Sequence, residues 1–568
     1  MSTLFMDKTL PNQLPQWQRL QQLAQQPWSI TELFAKDTHR STNFSLSAQG
    51  MFFDYSKQCL DESVKAELFE LAKACRLPQK LAALYQGDKV NTSEKRAALH
   101  TALRLPKSAR LTVDGVDVVA EVHDSLAKAE DLVDRIRGGL WRGYSGKAIT
   151  DVVNIGVGGS DLGPVMANTA LDEWADSNIR VHFVSNMDGT QLGSLLDKLN
   201  PETTLFIISS KSFGTVDTLS NAQTARAWLL TTGASPATLL RRHFIGISAN
   251  TERVSAWGIA KEHQLKLWDW VGGRFSMWSA IGLAVAIRIG MPRFYEMLAG
   301  AHAMDEHFKH ADFEHNLPVL LGLIGIWNSS FLGINAHTVL PYDGRLKYFP
   351  SYLTQLEMES NGKSVTHGGQ PVPYATCPIL WGEIGSNAQH AFYQLLHQGT
   401  QKVSCDFIAC VNYYQSREAD ELKKQHELSL ANCLAQSRVL AFGNDALAAK
   451  PDQVATELDK FKRYRGNQPS TTLLLDELTP ASFGALIALY EHKVFVMASI
   501  WDINPFDQWG VEMGKQVANE VFAHIRLDTS VASDAAADHA HKQAQLAAEA
   551  FDGSTQALLQ HINQQLDS

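Results

Sequence analysis

The chain has 568 residues, and 50 Lys and Arg against 60 Asp and Glu give it a formal charge of −10 at pH 7. Its 45% hydrophobic and 19% charged residues are typical of a globular protein and exclude a disordered, collagen-like or disulfide-scaffold chain. A chain of this length usually folds as two or more domains. The acidic balance argues against a nucleic-acid groove, although a few well-placed cations can still bind a small anion.

The cysteines and the apolar segments bear on where the protein works. The six cysteines form no CxxC pair, so neither a thiol redox motif nor a zinc ribbon is indicated. Residues 1–17 lack a basic segment followed by an apolar one, so they do not read as an export signal. The longest apolar stretch, 317–332, is interrupted by glycine and asparagine and favours a core helix over a membrane span. We therefore expect a cytoplasmic protein without membrane segments.

The first predicted elements are helical and the next ones alternate. Residues 1 to about 110 contain short helical periods and no run of buried strands, which predicts a mainly helical N-terminal extension. Short, β-rich apolar runs then follow at 149–157, 180–185, 203–209 and 243–248, with amphipathic stretches of helical length at 161–174, 217–230 and 252–263. Strands that are apolar on both faces and alternate with helices predict a parallel sheet covered by helices.

The same alternation returns in the second half of the chain. Strands are predicted at 378–381, 406–411 and 470–476, after a Leu- and Ile-rich helical stretch at 292–332. The sequence therefore predicts an α/β fold with two three-layer α/β/α sandwich domains and mainly parallel sheets. The predicted domains are the N-terminal extension 1–110, the two sandwiches 111–290 and 291–525, and an Ala- and Gln-rich helical tail 526–568.

Two turns after predicted strands are suited to binding an anion. Segment 154–163, NIGVGGSDLG, ends a strand with glycines and places Ser160 at a helix start, where backbone N–H groups and the helix dipole favour anions. It fails the dinucleotide pattern because Asp161 stands where glycine is needed. Segment 209–215, SSKSFGT, offers four hydroxyls and Lys211, a set that suits a phosphate monoester. The alternatives are a tight turn without ligand and a helix-capping cluster.

Two further segments carry isolated charges. In 269–282, DWVGGRFSMWSAIG, Arg274 lies among large apolar residues and would be costly to bury without an anionic partner, for which Asp269 is one candidate. In 355–363, QLEMESNGK, the Asn-Gly pair marks a turn. Glu357 and Glu359 would point to opposite faces of an extended chain, so only one of them can reach a given pocket. Taken alone, this segment favours exposed carboxylates at a turn.

The last two segments lie in the second half. Segment 381–390, WGEIGSNAQH, places His390 near a predicted helix start, where the dipole disfavours an imidazolium cation and suits proton transfer near neutral pH. The chain has twenty histidines, most of which must have no such role. In 504–515, NPFDQWGVEMGK, a turn precedes a predicted helix that carries Lys515. This lysine is equally consistent with a functional role and with a solvated helix residue.

Taken together, the six segments resemble the glucose-6-phosphate isomerase (phosphoglucose isomerase) family. Segments 269–282 and 506–515 look like its two signature regions, and 155–164, 210–213, 358–363 and 389–392 stand in the family's order. The resemblance covers residues from about 45 to 525. It implies flavodoxin-like sandwiches of the sugar-isomerase (SIS) type in a homodimer. It also implies reversible conversion of glucose 6-phosphate to fructose 6-phosphate through ring opening and an enediol, in glycolysis and gluconeogenesis, without cofactor or metal.

The resemblance also implies a role for each matching residue. Glu359 would be the base that moves a proton between C1 and C2, and Arg274 would stabilise the enediolate. His390, supplied across the dimer interface, and Lys515 would open the sugar ring. The phosphate-binding residues would be Ser160, Ser210, Lys211, Ser212 and Thr215, and the other substrate-binding residues would be Gly159, Gln355 and Gln508.

The phosphate loop departs from the family's usual Ser-Lys-Thr-Phe-Thr-Thr-Gln-Glu-Thr. Ser212 keeps a hydroxyl where threonine is usual, whereas Gly214 lacks one. Asp217 stands where the family has a glutamate that steadies the catalytic histidine. Because Asp217 is one methylene shorter, we expect it to orient His390 through water or a backbone shift.

Three other functions stay open at this stage. One is an enzyme that also isomerises mannose 6-phosphate through a shared enediol. A non-catalytic sugar-phosphate regulator built on SIS domains would keep the phosphate loop but lack the base, so Glu359, Arg274 and Lys515 argue against it. A metal-dependent isomerase would need a ligand cluster, and the four histidines within 302–315 lie on a charged helical stretch without metal-ligand spacing. We expect no nucleic-acid or membrane partner.

Overall fold

The computed structural model of the chain describes residues 9–413, 419–447, 457–525 and 551–566. These residues form two compact units, which divide in sequence between Phe506 and Asp507. The first unit contains both large β-sheets, and helices follow most of their strands. The predicted α/β class with mainly parallel sheets is confirmed.

The two large sheets differ in how their strands run. The strands in chain order are β1 Ser45–Ala48, β2 Met51–Asp54, β3 Thr112–Val113, β4 Val116–Asp117, β5 Asp151–Ile155, β6 Arg180–Val184, β7 Thr204–Ser209, β8 Phe244–Ser248, β9 Gln264–Lys266, β10 Ala336–Pro341, β11 Ile379–Gly382, β12 Ser404–Cys410 and β13 Ser470–Leu475. The five-stranded sheet, in the order β6-β5-β7-β8-β9, is wholly parallel. The six-stranded sheet, in the order β1-β2-β13-β12-β10-β11, is parallel from β13 to β11 and antiparallel at β1 and β2.

The α-helices cover these sheets and build the termini. In the first unit they are α1 Pro15–Ala24, α2 Ile30–Lys36, α3 Arg40–Asn43, α4 Glu62–Ala74, α5 Leu77–Gln86, α6 Val118–Arg137, α7 Leu162–Ala170, α8 Thr190–Leu196, α9 Val216–Leu230, α10 Pro236–His243, α11 Thr251–Trp257, α12 Leu283–Ile289, α13 Met291–His310, α14 Leu317–Ile326, α15 Phe349–Asn361, α16 Gly385–Ala391, α17 Tyr393–Gln398, α18 Asp420–Phe442 and α19 Pro480–Trp501. In the second unit α20 is Glu512–Phe522, and a last helix covers Gly553–Leu566.

The five-stranded sheet forms where the sequence predicts it because its central strands are apolar on both faces. Every residue of β5, β7 and β8 is buried. Helix α7 follows β5, α9 follows β7 and α11 follows β8, so the loops between them leave the carboxyl ends of adjacent parallel strands. These loops contain both anion-suited turns found in the sequence.

The N-terminal segment contributes a β-hairpin that the sequence pattern did not predict. Strands β1 and β2 are four residues each, and β2 pairs antiparallel with β13, placing Phe53 opposite Leu473. Gln49 and Gly50 both have positive φ, 54° and 70°, which suits a two-residue hairpin turn. With only four residues, of which three are apolar, β2 is too short to give the longer apolar run that identified the other strands.

Helix α19 passes through the core of the first unit. Within the described part of the chain it is the one helix long and apolar enough to cross a membrane by length and composition, and its apolar window is entirely buried in protein. Its first turn is fixed by a capping box, in which Thr479 and Ser482 satisfy each other's backbone N–H groups. Burial on all sides is what a central core helix requires.

The predicted domain boundaries at residues 110, 290 and 525 stay predictions. The N-terminal region is mainly helical, but its hairpin extends the six-stranded sheet. Of the predicted helical tail 526–568, residues 526–550 and 567–568 lie outside the described residues. The described remainder contains the helix Gly553–Leu566.

Candidate active site

A buried asparagine joins the two anion-suited turns. Asn154, on β5, donates from Nδ2 to the Ser160 carbonyl at 3.0 Å and accepts a hydrogen bond from the Ser209 hydroxyl at 2.9 Å. The first turn is a 3-10 helix over Gly158–Ser160, and the second loop follows β7, the neighbour of β5. Because both turns leave the carboxyl ends of adjacent strands, their hydroxyl and N–H groups lie at the same edge of the sheet.

The loop at 210–215 has hydroxyl groups that do not cap the following helix. The Ser210 and Thr215 hydroxyls lie 3.3 Å apart. Thr215 is the N-cap residue of α9, yet its side chain accepts no N–H from that helix. The buried Phe213 anchors the loop with φ 45°, an uncommon left-handed conformation for a residue other than glycine. The capping alternative is therefore wrong for Thr215.

Lys211 ties the same loop to the segment that precedes Arg274. Its Nζ donates to the carbonyl oxygens of Asp269 at 2.9 Å and Val271 at 2.8 Å. Burial lowers the pKa of the Lys211 ammonium, and the nearby Asp269 carboxylate acts in the opposite direction. The lysine is thus held at the loop by two main-chain oxygens.

Close backbone packing explains the glycines of the first turn. A Cβ on Gly159 would lie 2.1 Å from the carbonyl carbon and oxygen of Gly273, and Gly158 has φ 59°. No side chain can therefore stand at Gly159 without separating this turn from the turn over Gly273–Phe275. This contact brings Ser160, which is half-buried, beside the segment that holds Arg274.

Arg274 is almost completely buried and has several polar partners. Its Nε donates to the Ser360 hydroxyl at 2.6 Å, and its Nη2 donates to the Pro505 carbonyl. Its Nη1 lies 3.5 Å from Oε2 of Glu359. These contacts fix the guanidinium beside one carboxylate, which suits a cation that must stabilise negative charge next to a base.

Helix α15 carries Gln355 and Glu359 on one face, one turn apart. Gln355 donates from Nε2 to Oε2 of Glu359 at 3.0 Å. Oε1 of Gln355 is buried and has no hydrogen-bond partner in the described residues. A buried acceptor without a partner is costly, so this atom is well placed to accept from a ligand hydroxyl.

The expectation of two exposed carboxylates at a turn is wrong. Glu357 and Glu359 both belong to α15. This helix ends at Asn361, where the Asn-Gly pair was expected to turn the chain. Glu357 is 1% exposed and forms a buried ion pair with Lys493 at 2.7 Å. Two positions along a helix turn a side chain by about 200°, so Glu357 faces the core and Glu359 faces the Arg274 guanidinium.

His390 lies elsewhere on the first unit and differs from its predicted setting. It is exposed and stands in the last turn of α16, so its predicted position near a helix start is wrong. Asp217, half-buried in the first turn of α9, makes no hydrogen bond or ion pair with His390 in the described part of this chain. The proposed contact between these two residues stays a prediction.

The remaining predicted residues lie at the surface of the loop or in the second unit. Ser212 is exposed. Gln508 precedes the 3-10 turn Trp509–Val511, and Lys515 lies on α20 with its ammonium 2.9 Å from Glu512. Both ion-pair partners are largely exposed, as expected for a solvated helix residue. The roles of Gln508 and Lys515 stay predictions.

Two residues that orient the site were not among the predicted ones. Ser360 fixes the Arg274 guanidinium, and Asn154 holds the two turns together. An asparagine inside the apolar strand DVVNI was a signal, because a buried amide needs partners. Ser360 had no distinguishing signal, since its partner is distant in sequence.

Potential metal ligands do not cluster in the described residues. No group of three or more His, Cys, Asp or Glu side chains there is arranged to hold a metal ion. The four histidines within 302–315 are distributed over α13 and the turn that follows it.

Comparisons with known proteins cover most of the chain. The sequence model of a family described as phosphoglucose isomerase matches residues 54–559. The chain is 67% identical over 553 residues to the glucose-6-phosphate isomerase of Psychrobacter cryohalolentis, with 96% of each chain covered. It is 55% identical over 520 residues to glucose-6-phosphate isomerase 2 of Chromohalobacter salexigens, covering 89% of this chain and 92% of that protein. A solved structure of a glucose-6-phosphate isomerase from Chlamydia trachomatis has a TM-score of 0.80 at 31% identity, covering 90% of this chain and 96% of that one.

Proposed function

The chain belongs to the phosphoglucose isomerase family, and we propose that it interconverts glucose 6-phosphate and fructose 6-phosphate at the site around Glu359 and Arg274. The proposal rests on one arrangement above all. A carboxylate lies 3.5 Å from a buried guanidinium, on a helix whose Gln355 offers an unpartnered acceptor beside that carboxylate. The glycine-rich turn before Ser160 packs against the segment of Arg274, and Lys211 ties the hydroxyl-rich loop to the residues just before that segment.

Glu359 is the base in this reaction. It takes the proton from C2 of the open-chain aldose and returns it to C1, while the carbonyl moves from C1 to C2 and one proton passes between O1 and O2. The C2 proton is weakly acidic, so a positioned carboxylate and a nearby cation are both required. Arg274 supplies that cation, since its guanidinium is held against Glu359 by Ser360 and the Pro505 carbonyl.

The phosphate group binds at the two turns after β5 and β7. We assign it to the hydroxyls and N–H groups of Ser160, Ser210, Ser212 and Thr215, with Lys211 contributing charge. Gly159 lets its turn reach Arg274 and offers a backbone N–H. Thr215 supports this assignment because its hydroxyl is not used for helix capping.

Ring opening is assigned to His390 and Lys515, with Gln508 positioning the substrate and Asp217 orienting His390. A hemiacetal opens when an acid and a base act on its two oxygens. These four roles follow from the family pattern. The exposure of His390 within its own chain fits a residue that completes the site of a partner subunit.

The active protein is a homodimer in this proposal. Beside α16, helix α18 exposes Leu428 and Leu434, which are 55% and 52% accessible, and Gln389 bonds to Asn432 between these two helices at 3.1 Å. In the second unit, α20 has no buried residue and exposes Met513 and Phe522. Exposed apolar faces of this kind mark protein–protein interfaces.

We also propose that the enzyme works in the cytoplasm, in glycolysis and gluconeogenesis, without a metal ion. All six cysteines are free thiols, a state that a reducing compartment maintains. The enediol chemistry assigned to Glu359 and Arg274 needs no Lewis acid, because the guanidinium faces the developing negative charge.

A coupled assay with glucose 6-phosphate and with fructose 6-phosphate, in the presence and absence of EDTA, tests the proposal. We expect turnover in both directions that EDTA leaves unchanged. Phosphate binding without turnover would favour a sugar-phosphate regulator, and loss of activity in EDTA would require a metal. Running mannose 6-phosphate alongside decides whether this second sugar is a substrate.

A further inference from the structure

A third loop reaches the phosphate turns and carries an arginine. Strand β8 is followed by α11, whose N-cap Asn250 accepts the N–H of Arg253 at 3.0 Å and fixes the start of the helix. From there the Arg253 side chain extends to the 210–215 loop, where Nη1 donates to the Ser212 carbonyl at 3.3 Å. Arg253 is an exposed residue, and a guanidinium has five N–H donors, of which the Ser212 carbonyl takes one.

Gly214 provides the space in which the guanidinium lies. A Cβ at Gly214 would be 2.6 Å from Nη1 of Arg253 and 3.7 Å from the Ser212 hydroxyl. Any side chain at position 214 would therefore displace the guanidinium from the loop. The backbone of Gly214 has no positive φ, so its conformation does not require glycine. Glycine is needed here because the guanidinium approaches so closely.

The loop's own lysine is already engaged. Lys211 donates to two main-chain carbonyls, and burial lowers the pKa of its ammonium. A phosphate monoester carries a charge of about −1.5 to −2 at pH 7 and needs more compensation than one buried lysine offers. An arginine suits this purpose because its planar fork can donate two parallel hydrogen bonds to phosphate oxygens.

We propose that Arg253 binds the substrate's phosphate group as a second cation, held against the loop by the Ser212 carbonyl and admitted by Gly214. This inference rests on the proposed function, because it names a further residue of the same phosphate site. It predicts that Arg253 acts on substrate affinity and leaves the proton transfer at Glu359 unaffected.

Steady-state kinetics of Arg253→Ala tests the inference. We expect the KM for fructose 6-phosphate to rise about five- to tenfold, as for a charged hydrogen bond at a solvent-exposed site, with kcat unchanged within twofold. The inhibition constant of inorganic phosphate should rise by the same factor. An unchanged KM and inhibition constant, or a fall in kcat alone, would overturn the inference.

Two further variants separate phosphate binding from a general loss of charge. Arg241→Ala is the control and removes an exposed arginine from α10. Helix α10 precedes β8, so its last turn lies at the opposite end of that strand from α11. We expect the KM of this variant to stay at the wild-type value. Gly214→Thr places a side chain where the guanidinium lies. In the double variant, the rise in KM over the wild type should be smaller than the product of the two single-variant rises. The reason is that Gly214→Thr alone already displaces the arginine. Independent effects would contradict the geometry.

Direct binding of inorganic phosphate distinguishes this inference from the proposed function. Calorimetric titration of the wild type and Arg253→Ala measures phosphate affinity without turnover. A wild type that binds phosphate but isomerises neither sugar would refute the isomerase proposal. The same titration would still support Arg253 if its variant bound phosphate about five- to tenfold more weakly, and would refute it if affinity were unchanged.

Discussion

Glu357 and Glu359 stand two residues apart, and one helix sends their carboxylates into different surroundings. Glu357 meets Lys493 in the core, whereas Glu359 meets Arg274 and Gln355 at the candidate active site. A buried ion pair holds α15 against α19, and the opposite face of α15 then presents Glu359, the proposed base. Lys493 is the cation beside Glu357, and Arg274 is the cation beside Glu359. We therefore expect Glu357 to act on stability and Glu359 to act on turnover.

Asp161, beside the first phosphate turn, is expected to destabilise the protein at neutral pH. Its side chain is buried, Oδ1 has no hydrogen-bond partner in the described residues, and burial raises its pKa from 3.8 to about 6. The folded state therefore resists ionisation, and the penalty is absent below about pH 4, grows as the pH rises and is complete above about pH 6.

We therefore predict that Asp161→Asn is more stable than the wild type at pH 8, by about 2 kcal/mol, and that this gain shrinks towards pH 4.5. Urea unfolding at the two pH values measures it. Asp197→Asn, at an exposed position, is the matched control and should change stability by less than about 0.5 kcal/mol. An equal effect of Asp161→Asn at both pH values would show that its ionisation is not penalised.

Residue chemistry was predictable from sequence only where the partner lies in the same short segment. The hydroxyl-rich loop around Lys211 and the glycines before Ser160 were found because glycine and serine have distinct roles in turns. The contacts of Arg274 with Ser360 and of Arg253 with Ser212 were not found, because each joins residues far apart in sequence. His390 was misplaced by one helix turn, since short helices have weak boundary signals.

Among the elements, fully buried strands were the easiest to predict. Strands β5, β7 and β8 are mostly apolar and buried throughout, and they appear within a few residues of their predicted bounds. The β1–β2 hairpin was missed because its strands have only four residues each, and β10 was missed although five of its six residues are buried. A four-residue strand gains its stability from pairing with β13, a contact that local sequence does not encode.

Two adjacent phenylalanines test whether the packing of β2 contributes to the free energy of unfolding. Phe53 is 2% exposed and Phe52 is 40% exposed on the same strand. We predict that Phe53→Ala lowers the free energy of unfolding by about 3–5 kcal/mol and Phe52→Ala by less than about 1 kcal/mol. Urea unfolding of both variants measures the difference. Equal losses would mean that β2 is not packed on β13 in the way described.

For the whole molecule, the net charge of the chain and the proposed dimer both bear on the proposed function. A net charge of −10 is compatible with the proposed binding of a phosphate group, because Lys211, Arg253 and Arg274 lie at or beside the two turns. The exposed position of His390 is compatible with the proposal that it completes the site of a partner subunit.

Mixing two inactive variants tests whether His390 acts across a dimer. Glu359→Gln and His390→Ala each remove one proposed group from every site. If His390 is supplied in trans, half of a random mixture is heterodimer with one intact site, so activity returns to about a quarter of the wild-type value. If Glu359 and His390 of the same chain act together, the mixture stays inactive. Unfolding and refolding the two chains together allows the subunits to exchange.

The most direct test of the account is the turnover number of Glu359→Gln with glucose 6-phosphate, measured beside its affinity for inorganic phosphate. We predict that kcat falls by about 10²–10⁴-fold, the usual effect of losing a general base, and that phosphate affinity stays within twofold of the wild-type value. The control, Glu357→Gln, should lose stability because Lys493 is left unpaired, while its folded fraction keeps its kcat. Near-normal turnover in Glu359→Gln, with a folded but inactive Glu357→Gln, would contradict the account and assign the proton transfer to Glu357.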